Sequence, residues 1–352
     1  MNAPAKPLWR RRSFGGWIAG AAVVLLLAAP WLTSSVNLGM FGQVASDAVA
    51  VMSLALLTGR LGQFSLGQGA YLGIGAYTAI LLTNAGMSWF LAVLPAALIT
   101  GVIGGVAGLP ALRIKGMKPL ALISLGIAIV FPQFVLKFSD FSGGAQGLAA
   151  TQPIPSVFGF NRAVSAYWTV VVVAVIVFVL GWTLVTSRTG RAFVAVRDQE
   201  IASRTLGINT NLTKVAMYAW TAAIAGISGW MFAMVNRYVA PADFTPLLSI
   251  SLVLGMIIGG GTGNIVIGSV VGGLFLVYVR DFVPTIGFDP TLTPFVYGVI
   301  LILVLLFLPR GAAGLLQDIP KRIRRRRTRS EPPVAPTNID QKASLTGQSS
   351  SR

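Results

Sequence analysis

Ten apolar runs separated by short polar connections constrain this chain more than any other feature of its sequence. A bilayer core takes about 20 apolar residues per helix, and most of the runs come close to that length. The runs occupy residues 14–33, 40–58, 66–85, 89–112, 119–137, 166–186, 213–235, 247–258, 265–280 and 291–308. They predict an all-α, polytopic integral membrane protein with about ten membrane-entering helices and glycine-rich breaks. Composition supports this fold class, because only 11% of the residues are charged, whereas soluble domains carry about 25%.

The side chains that carry most enzyme chemistry are missing from the sequence. The chain contains no cysteine and no histidine, and its ten acidic residues are scattered. These absences exclude thiolate zinc sites, cysteine nucleophiles, Ser-His triads and imidazole bases. A nucleotide-binding P-loop is missing too, since Gly263 is followed by Asn264-Ile265 and not by lysine. We therefore expect no catalytic residues, no metal and no cofactor, and no ATP hydrolysis by this chain itself.

The net charge of +17 lies almost wholly on one face of the predicted topology. Ten alternating segments bring both termini to the same side, and all but four of the 27 cations fall there. The four exceptions are Lys137, Arg162, Arg237 and Arg280. The positive-inside rule makes the cation-rich face cytoplasmic, with both termini inside.

The two ends of the chain are polar and basic. Residues 1–13 are predicted to form a cytoplasmic basic N-terminus, and residues 317–352 a basic cytoplasmic tail that we expect to be disordered. The cations of this tail follow a membrane helix and have no aromatic neighbours. This pattern favours binding to anionic lipid over binding to nucleic acid.

Two polar, glycine-rich breaks interrupt the apolar sequence, at residues 58–69 and 259–264. Unwound backbone at membrane depth survives only inside protein or beside a water-filled cavity. Helix N-termini at such a place offer free N–H groups to a substrate carboxylate. The breaks therefore predict a translocation pathway, and tight cytoplasmic turns are the alternative. The candidate pathway residues are Gly62, Gln63, Ser65, Gly67, Gln68, Gly261, Gly263 and Asn264.

Asp47 is the one acidic residue inside a predicted span. A charge at mid-bilayer costs about 2.5–3.5 kcal/mol on insertion scales, so its side chain should face protein or water. We expect Asp47 to lie at the outer interface, beside Gln43 and Ser46, with water satisfying its carboxylate. A substrate or ion ligand is the alternative.

The cytoplasmic loop 187–213 combines charges with apolar residues at helical spacing. Val194, Ile201 and Leu206 alternate with charged residues, and Gly207 is a typical C-terminal stop. The pattern predicts a short amphipathic helix across the membrane face, which would fit a groove on a soluble partner. A solvated connecting helix is the alternative.

Four segments of the sequence resemble one protein family. They are "TGRLGQFSLGQGAYLGIGAYTAILL" (58–82), "SRTGRAFVAVRDQEIASRTLGIN" (187–209), "GMIIGGGTGNIVIGSVVGG" (255–273) and "PRGAAGLL" (309–316). Together they are similar to the permease subunits of branched-chain amino-acid ABC importers, the LivM-type family. One departure lies in the first segment, where Gln68 stands at a position at which relatives often carry histidine.

The resemblance implies a transmembrane permease domain over residues 14–316 in a bacterial inner membrane. It also implies a second homologous permease, two cytoplasmic ATPase subunits and a periplasmic substrate-binding protein as partners. The segment 187–209 resembles the loop that docks on the ATPase, with Glu200, Ala202 and Gly207 carrying the match and Ile201 departing from it. The candidate coupling residues are Arg188, Gly190, Arg191, Arg197, Glu200, Ala202 and Gly207.

The implied function is ATP-driven import of branched-chain, leucine-like amino acids. Urea, short-chain amides and other amino or aromatic acids are alternative substrates, because importers of these solutes share the permease type. A self-sufficient secondary transporter or channel is the alternative of another class. It would need buried ionisable groups to couple an ion, and Asp47 is the sole candidate.

Overall fold

The computed structural model describes residues 35–112, 117–156, 159, 161–260 and 265–285, with isolated positions between 292 and 303. Within these ranges the chain is mostly helical, which confirms the predicted all-α class. The helices are α1 (Ser35–Leu56), α2 (Gln68–Asn84), α3 (Trp89–Gly108), α4 (Met117–Lys137), α5 (Ser139–Ser142), α6 (Arg162–Thr186), α7 (Arg188–Asp198), α8 (Glu200–Thr205), α9 (Thr210–Asn236), α10 (Pro246–Ile258) and α11 (Ile265–Thr285).

Short elements connect these helices. They are a π-helical turn (Leu57–Leu61), three 3₁₀ turns (Leu109–Leu112, Gly144–Gln146 and Pro241–Phe244) and two strands, β1 (Leu148–Ala149) and β2 (Tyr238–Val239). The strands pair antiparallel, with Leu148 opposite Val239 and Ala149 opposite Tyr238.

Eight of the ten predicted apolar runs correspond to helices in the described residues. The run 14–33 lies outside those residues, as do the terminal segments 1–13 and 317–352, and only isolated positions of 291–308 are described. Four helices are long and apolar enough to cross a membrane: Leu38–Leu61, Trp89–Gly108, Arg162–Thr186 and Thr210–Asn236. A further candidate span, Ala121–Lys137 with Ser139–Gln146, is bent by 89° at its break. The chain is therefore a polytopic membrane protein.

α9 lies at the centre of the bundle and packs against α1, α2 and α3. Glycine permits the closest of these contacts. A Cβ atom on Gly75 of α2 would collide with the Gly226 backbone of α9, and one on Gly229 would collide with the Leu72 carbonyl. Such backbone-to-backbone packing replaces the hydrophobic driving force, which is absent between helices in lipid.

The two ends of the bundle differ in their connections. At one end, the π-helical turn contacts α7; we call this the junction end. At the other, Asn84 at the end of α2 binds the strand region, donating to the Ala149 carbonyl at 2.9 Å and accepting from the Thr151 N–H at 2.8 Å; we call this the strand end. The 17 residues of α2 separate these ends by about 25 Å.

The chain after β2 turns back into the bundle from the strand end. Phe244, at the end of the last 3₁₀ turn, is fully buried and packs edge-on against Tyr77, Phe131 and Phe232. α10 starts two residues later, at Pro246, and has only 13 residues. It therefore begins inside the bundle, and its length is too short to span a membrane.

Candidate translocation site and docking segment

The first predicted break forms a junction between α1 and α2. α1 continues directly into the π-helical turn Leu57–Leu61, which ends at Gly62. Gly62 has a left-handed backbone, with φ 70°, and its N–H donates to the Thr58 carbonyl at 3.1 Å. Because glycine adopts this conformation without a steric penalty, Gly62 sets the direction in which the chain leaves the turn. Residues 63–67 are irregular, and α2 begins at Gln68.

Serine hydroxyls from two other helices bind the backbone where α2 begins. The Leu66 N–H donates to Ser124 Oγ of α4 at 2.8 Å, and the Gly69 N–H donates to Ser249 Oγ of α10 at 3.0 Å. The first N–H groups of a helix have no partner within it. These two serines therefore join the start of α2 to α4 and α10 by hydrogen bonds that water or a solute oxygen could replace.

Several buried polar atoms around this junction have no hydrogen-bond partner within the part of the chain that the structure describes. They are Thr58 Oγ1, Gln63 Oε1, Gln68 Oε1 and Nε2, and the hydroxyls of Tyr71 and Tyr218. Gln68 is only 1% exposed, so its whole amide is withdrawn from bulk solvent. An unpaired buried polar group costs about 1–3 kcal/mol, and such groups often mark a place where water or a ligand binds.

The structure brings the predicted pathway residues of the first break together at the start of α2. Ser65 is buried, and its Oγ accepts from the Gly67 N–H at 3.2 Å. A Cβ atom on Gly67 would meet the Ser124 carbonyl at 3.0 Å, so the backbone there lies directly against α4. The predicted pathway residues of the second break, Gly261, Gly263 and Asn264, lie outside the described residues.

An apolar crevice of about 510 Å³ lies between α2, α3 and α4, away from these polar groups. Its walls include Ile74, Ile127 and Phe134, and Phe134 and Val130 are exposed on the outside of the bundle. The crevice has few polar atoms and opens on the outside of the bundle, so it does not suit a charged solute. We place the candidate translocation site at the α1–α2 junction for this reason.

Asp47 lies inside the bundle. It is 5% exposed, and its Oδ1 accepts from Gln43 Nε2 at 3.0 Å. Gln43 Oε1 in turn accepts from Asn236 Nδ2 of α9 at 3.0 Å. The predicted neighbour Gln43 is thus the hydrogen-bond partner of Asp47, and the Asp47 side chain is more enclosed than the expected interfacial position would leave it.

α7 packs firmly against the junction end. The Ser187 hydroxyl caps this helix by accepting from the Gly190 N–H at 3.1 Å. The buried face of α7 consists of Gly190, Phe193 and Val196. A Cβ atom on Gly190 would collide with the carbonyls that end α6, which explains why glycine is required at this close contact.

α8 is held by charged groups. Glu200 Oε1 accepts from Lys214 Nζ of α9 at 2.9 Å and from Arg204 Nη2 at 2.8 Å, and Arg204 Nε donates to Thr210 Oγ1 at 2.9 Å. The hydrogen bond from Lys214, followed by the charges of Lys214 and Arg204, holds the pKa of Glu200 below its ordinary value against the opposing effect of burial. The Glu200 carboxylate thus fixes α8 to the base of α9.

Three large apolar side chains around α8 point away from the protein. Ile201 is 83% exposed, Leu206 79% and Leu212 66%. We call these three residues the docking patch. Exposed apolar side chains of this size are candidates for an interaction surface.

The predicted single amphipathic helix is wrong, because the segment forms two helices. The chain breaks at Gln199, whose extended backbone (φ −150°, ψ 90°) separates α7 from α8. Phe193 and Val196 are the apolar side chains that pack on the bundle, whereas Val194 is half-buried. The bundle covers α7 alone, so Ile201 and Leu206 remain on the outside.

Arg197 brings the two predicted groups of site residues into contact. Its Nη1 donates to the Gly59 carbonyl in the π-helical turn at 2.6 Å. The two other candidate coupling arginines, Arg188 and Arg191, are exposed, and Arg191 Nη1 donates to the Thr186 carbonyl at 3.2 Å. Ala202 is exposed on α8, and Gly207 ends that helix with a left-handed backbone, φ 81°.

The sequence analysis missed four residues of the candidate site: Ser124, Ser249, Tyr71 and Tyr218. Each is a polar side chain within an apolar run, which was the available signal. The two serine hydroxyls bind the backbone at the start of α2 only because α4 and α10 pack around it. That packing could not be derived from the runs themselves.

A bundle of apolar helices with a polar junction inside it is the architecture of a membrane permease. The sequence profile of the family described as "Branched-chain amino acid transport system / permease component" matches residues 36–305. Since this match covers most of the chain, the protein belongs to that family. The family is one of ABC-type permeases of bacterial inner membranes, and this chain is a multi-pass member of it.

Three relatives illustrate the range of this similarity. The high-affinity branched-chain amino acid transport system permease protein LivM of Salmonella typhimurium is 27% identical over 270 residues, which is 69% of this chain and 63% of LivM. The autoinducer 2 import system permease protein LsrC of Escherichia coli is 24% identical over 91% of this chain and 94% of LsrC. The ribose import permease protein RbsC of Escherichia coli is 22% identical over 85% of this chain and 93% of RbsC. No solved structure matches the chain.

Proposed function

We propose that this chain is the LivM-type subunit of an ATP-driven importer that carries branched-chain amino acids across the inner membrane. The observation that carries this proposal is the docking patch. Ile201, Leu206 and Leu212 are exposed beside a charge-stabilised α8, and a soluble ATPase subunit would cover them. A secondary transporter or channel would have no need for such a surface.

The complete transporter in this proposal contains a second homologous permease, two cytoplasmic ATPase subunits and a periplasmic substrate-binding protein. The junction end faces the cytoplasm, together with both chain termini. This orientation is supported by the charge of that end, which carries Arg60, Arg188, Arg191, Arg197, Arg204 and Lys214. The strand end carries the exceptions Lys137 and Arg237.

The proposed substrate site is the start of α2. A leucine carboxylate would receive hydrogen bonds from the Gln68 amide and from N–H groups that now donate to Ser124 and Ser249. The positive end of the α2 dipole adds to this attraction without a buried cation. The greater identity with LivM than with LsrC or RbsC supports an amino acid, whereas the longer matches with LsrC and RbsC make a sugar the second candidate.

The docking patch can be tested with Ile201→Asp and Leu206→Asp together in the assembled transporter. Two charges on this surface should prevent the ATPase subunit from copurifying and should abolish uptake of labelled leucine, while the permease stays in the membrane. Thr189→Asp is the matched control, because it adds one charge to an exposed position of α7. Normal uptake by the double variant would overturn the docking role.

Competition by unlabelled leucine, ribose and urea in the same assay identifies the substrate class.

The orientation can be tested by thiol labelling, because the chain has no cysteine of its own. Thr205→Cys at the junction end should react with a membrane-impermeant maleimide only in opened cells. Ser156→Cys, exposed on the connection that follows β1, should react when the outer side of the inner membrane alone is accessible. Labelling with the opposite pattern would reverse the assignment of the cytoplasmic face.

A further inference from the structure

Arg197 makes a direct contact between residues 187–209, which we call the docking segment, and the candidate translocation site. Besides the 2.6 Å hydrogen bond from Nη1 to the Gly59 carbonyl, its Nε donates to Asp198 Oδ1 at 2.8 Å. Both bonds involve the delocalised guanidinium, so its position is fixed from two sides. The side chain is 35% exposed and is directed inward, toward the π-helical turn and away from the docking patch.

Gly62 makes room for this contact. A Cβ atom at position 62 would come within 2.6 Å of Arg197 Cγ and within 3.0 Å of Cδ. The stem of Arg197 therefore lies against a residue that has no side chain and a left-handed backbone. Arg197 meets the junction at two points, the Gly59 carbonyl and the Gly62 backbone, which are the middle and the end of the π-helical turn.

The turn that Arg197 holds is the unusual element of the junction. A π-helical turn contains one residue more than the α-helical path, and such turns are rare and concentrated at functional sites. A cation beside the last carbonyls of a helix is stabilising, because the negative end of the helix dipole lies there. Arg60 in the same turn carries a like charge and repels Arg197, so the hydrogen bond to Gly59 acts against that repulsion.

We propose that Arg197 is the positioning residue that converts movement of the docking segment into rearrangement of the α1–α2 junction. The inference rests on the proposed function, because it needs an ATPase to move α7 and α8. When α7 moves, the Gly59 carbonyl is released and the π-helical turn relaxes to the α-helical path. Loss of one residue from the turn rotates the following chain by about 100° and shifts it by about 1.5 Å.

This rearrangement would act directly on the substrate site. Only residues 63–67 separate the turn from Gln68. The start of α2 is held by the hydroxyls of Ser124 and Ser249, and each such hydrogen bond contributes only about 0.5–1.5 kcal/mol net. Rotation of the turn would therefore break these bonds and change which groups face the solute.

The test measures ATP hydrolysed per labelled leucine taken up in proteoliposomes that contain the full transporter. Arg197→Met keeps the apolar stem and removes the guanidinium, so the number of ATP molecules hydrolysed per leucine should rise about tenfold. This is the size of effect expected when one contact of a two-state element is lost. Arg197→Lys keeps the charge and a single donor and should restore part of the coupling. Gly62→Ala should raise the ratio as well, because its methyl group displaces the Arg197 stem.

Two controls separate transmission from docking and from folding. Thr189→Ala changes an exposed position of the same helix and leaves both contacts of Arg197 in place, and it should keep a ratio close to that of the unmodified transporter. Copurification of the ATPase and the melting temperature are measured for every variant. A normal ratio in Arg197→Met, or a loss of the copurifying ATPase in that variant, would overturn the positioning role. Absence of ATP-dependent uptake in the unmodified transporter would overturn the proposed function and this inference together.

Discussion

The first turn of α2 and the middle of the same helix are built in opposite ways. In the middle, Gly75 and Leu72 bring the backbone of α2 against the backbone of α9, at Gly226 and Gly229. At the start, serine hydroxyls bind the N–H groups, and the Gln68 amide has no partner among the described residues. Close backbone packing has one favourable arrangement, whereas hydroxyl hydrogen bonds can be exchanged for water or solute at small cost. The comparison indicates that α2 has a fixed middle and an adjustable start.

The largest expected effect comes from disturbing the fixed middle. Gly75→Ala would place a methyl group on the Gly226 backbone, and overpacking of this kind costs about 1–3 kcal/mol or more. We expect a clearly lower melting temperature of the detergent-solubilised protein and a lower yield from membranes. Gly126→Ala in α4 is the matched control, because a Cβ atom at Gly126 meets nothing within 4 Å. Equal melting temperatures for both variants would contradict the tight α2–α9 contact.

A substitution at the adjustable start of α2 should affect the stability of the protein and its transport activity in opposite directions. Gln68→Leu replaces an unpartnered buried amide by an apolar group of similar size, and such a replacement is nearly neutral or stabilising. The same change removes a proposed ligand of the leucine carboxylate, and a hydrogen bond to a charged group contributes about 1.5–3 kcal/mol. We therefore expect an unchanged or higher melting temperature together with a KM for uptake that is about tenfold higher.

Ser249→Ala provides the contrast within the same site. Its Oγ accepts the Gly69 N–H, so its loss leaves a buried donor unsatisfied and should lower the melting temperature. If Gln68→Leu lowered the melting temperature as much as Ser249→Ala and left the KM unchanged, Gln68 would be a structural residue. The start of α2 would then no longer qualify as the substrate site.

The sequence alone was sufficient to locate most helices, because lipid leaves the backbone few alternatives. Every backbone group inside a bilayer must be paired within the segment, so run length and helix length agree closely. The run 247–258 became Pro246–Ile258, and the run 40–58 became Ser35–Leu56 followed by the π-helical turn. Local sequence also placed the first break correctly between α1 and α2.

Contacts between distant parts of the chain could not be predicted in the same way. Arg197 contacts Gly59, which lies 138 positions away in the sequence, and no periodicity of the sequence predicts this contact. The break at Gln199 and the burial of Phe193 and Val196 depend on where α6 and the π-helical turn end beneath α7. Val194, Ile201 and Leu206 have helical spacing in the sequence, yet the break at Gln199 divides them between separate elements.

A smaller effect concerns α8, which is held to the bundle by charge and not by packing. The Lys214 and Arg204 contacts lower the pKa of Glu200, so the folded state favours the carboxylate. A depressed pKa contributes stability above the unfolded value of about 4.3, and that stability is lost as the pH falls through the lower, folded pKa. The effect should be modest and salt-sensitive, because Glu200 is 36% exposed.

Acidification should therefore loosen α8 while the Gly75–Gly226 contact between α2 and α9, which is made by backbone atoms, stays closed. Hydrogen exchange corrected for the intrinsic rate should increase over residues 200–209 below about pH 4.3 and should not change around Gly75 and Gly226. Glu200→Gln removes the titrating group, so its exchange over 200–209 should be faster at neutral pH and independent of pH. If hydrogen exchange over residues 200–209 in Glu200→Gln kept the pH dependence of the unmodified protein, a group other than Glu200 would control α8. The contacts of Glu200 would then not be what holds the docking patch in place.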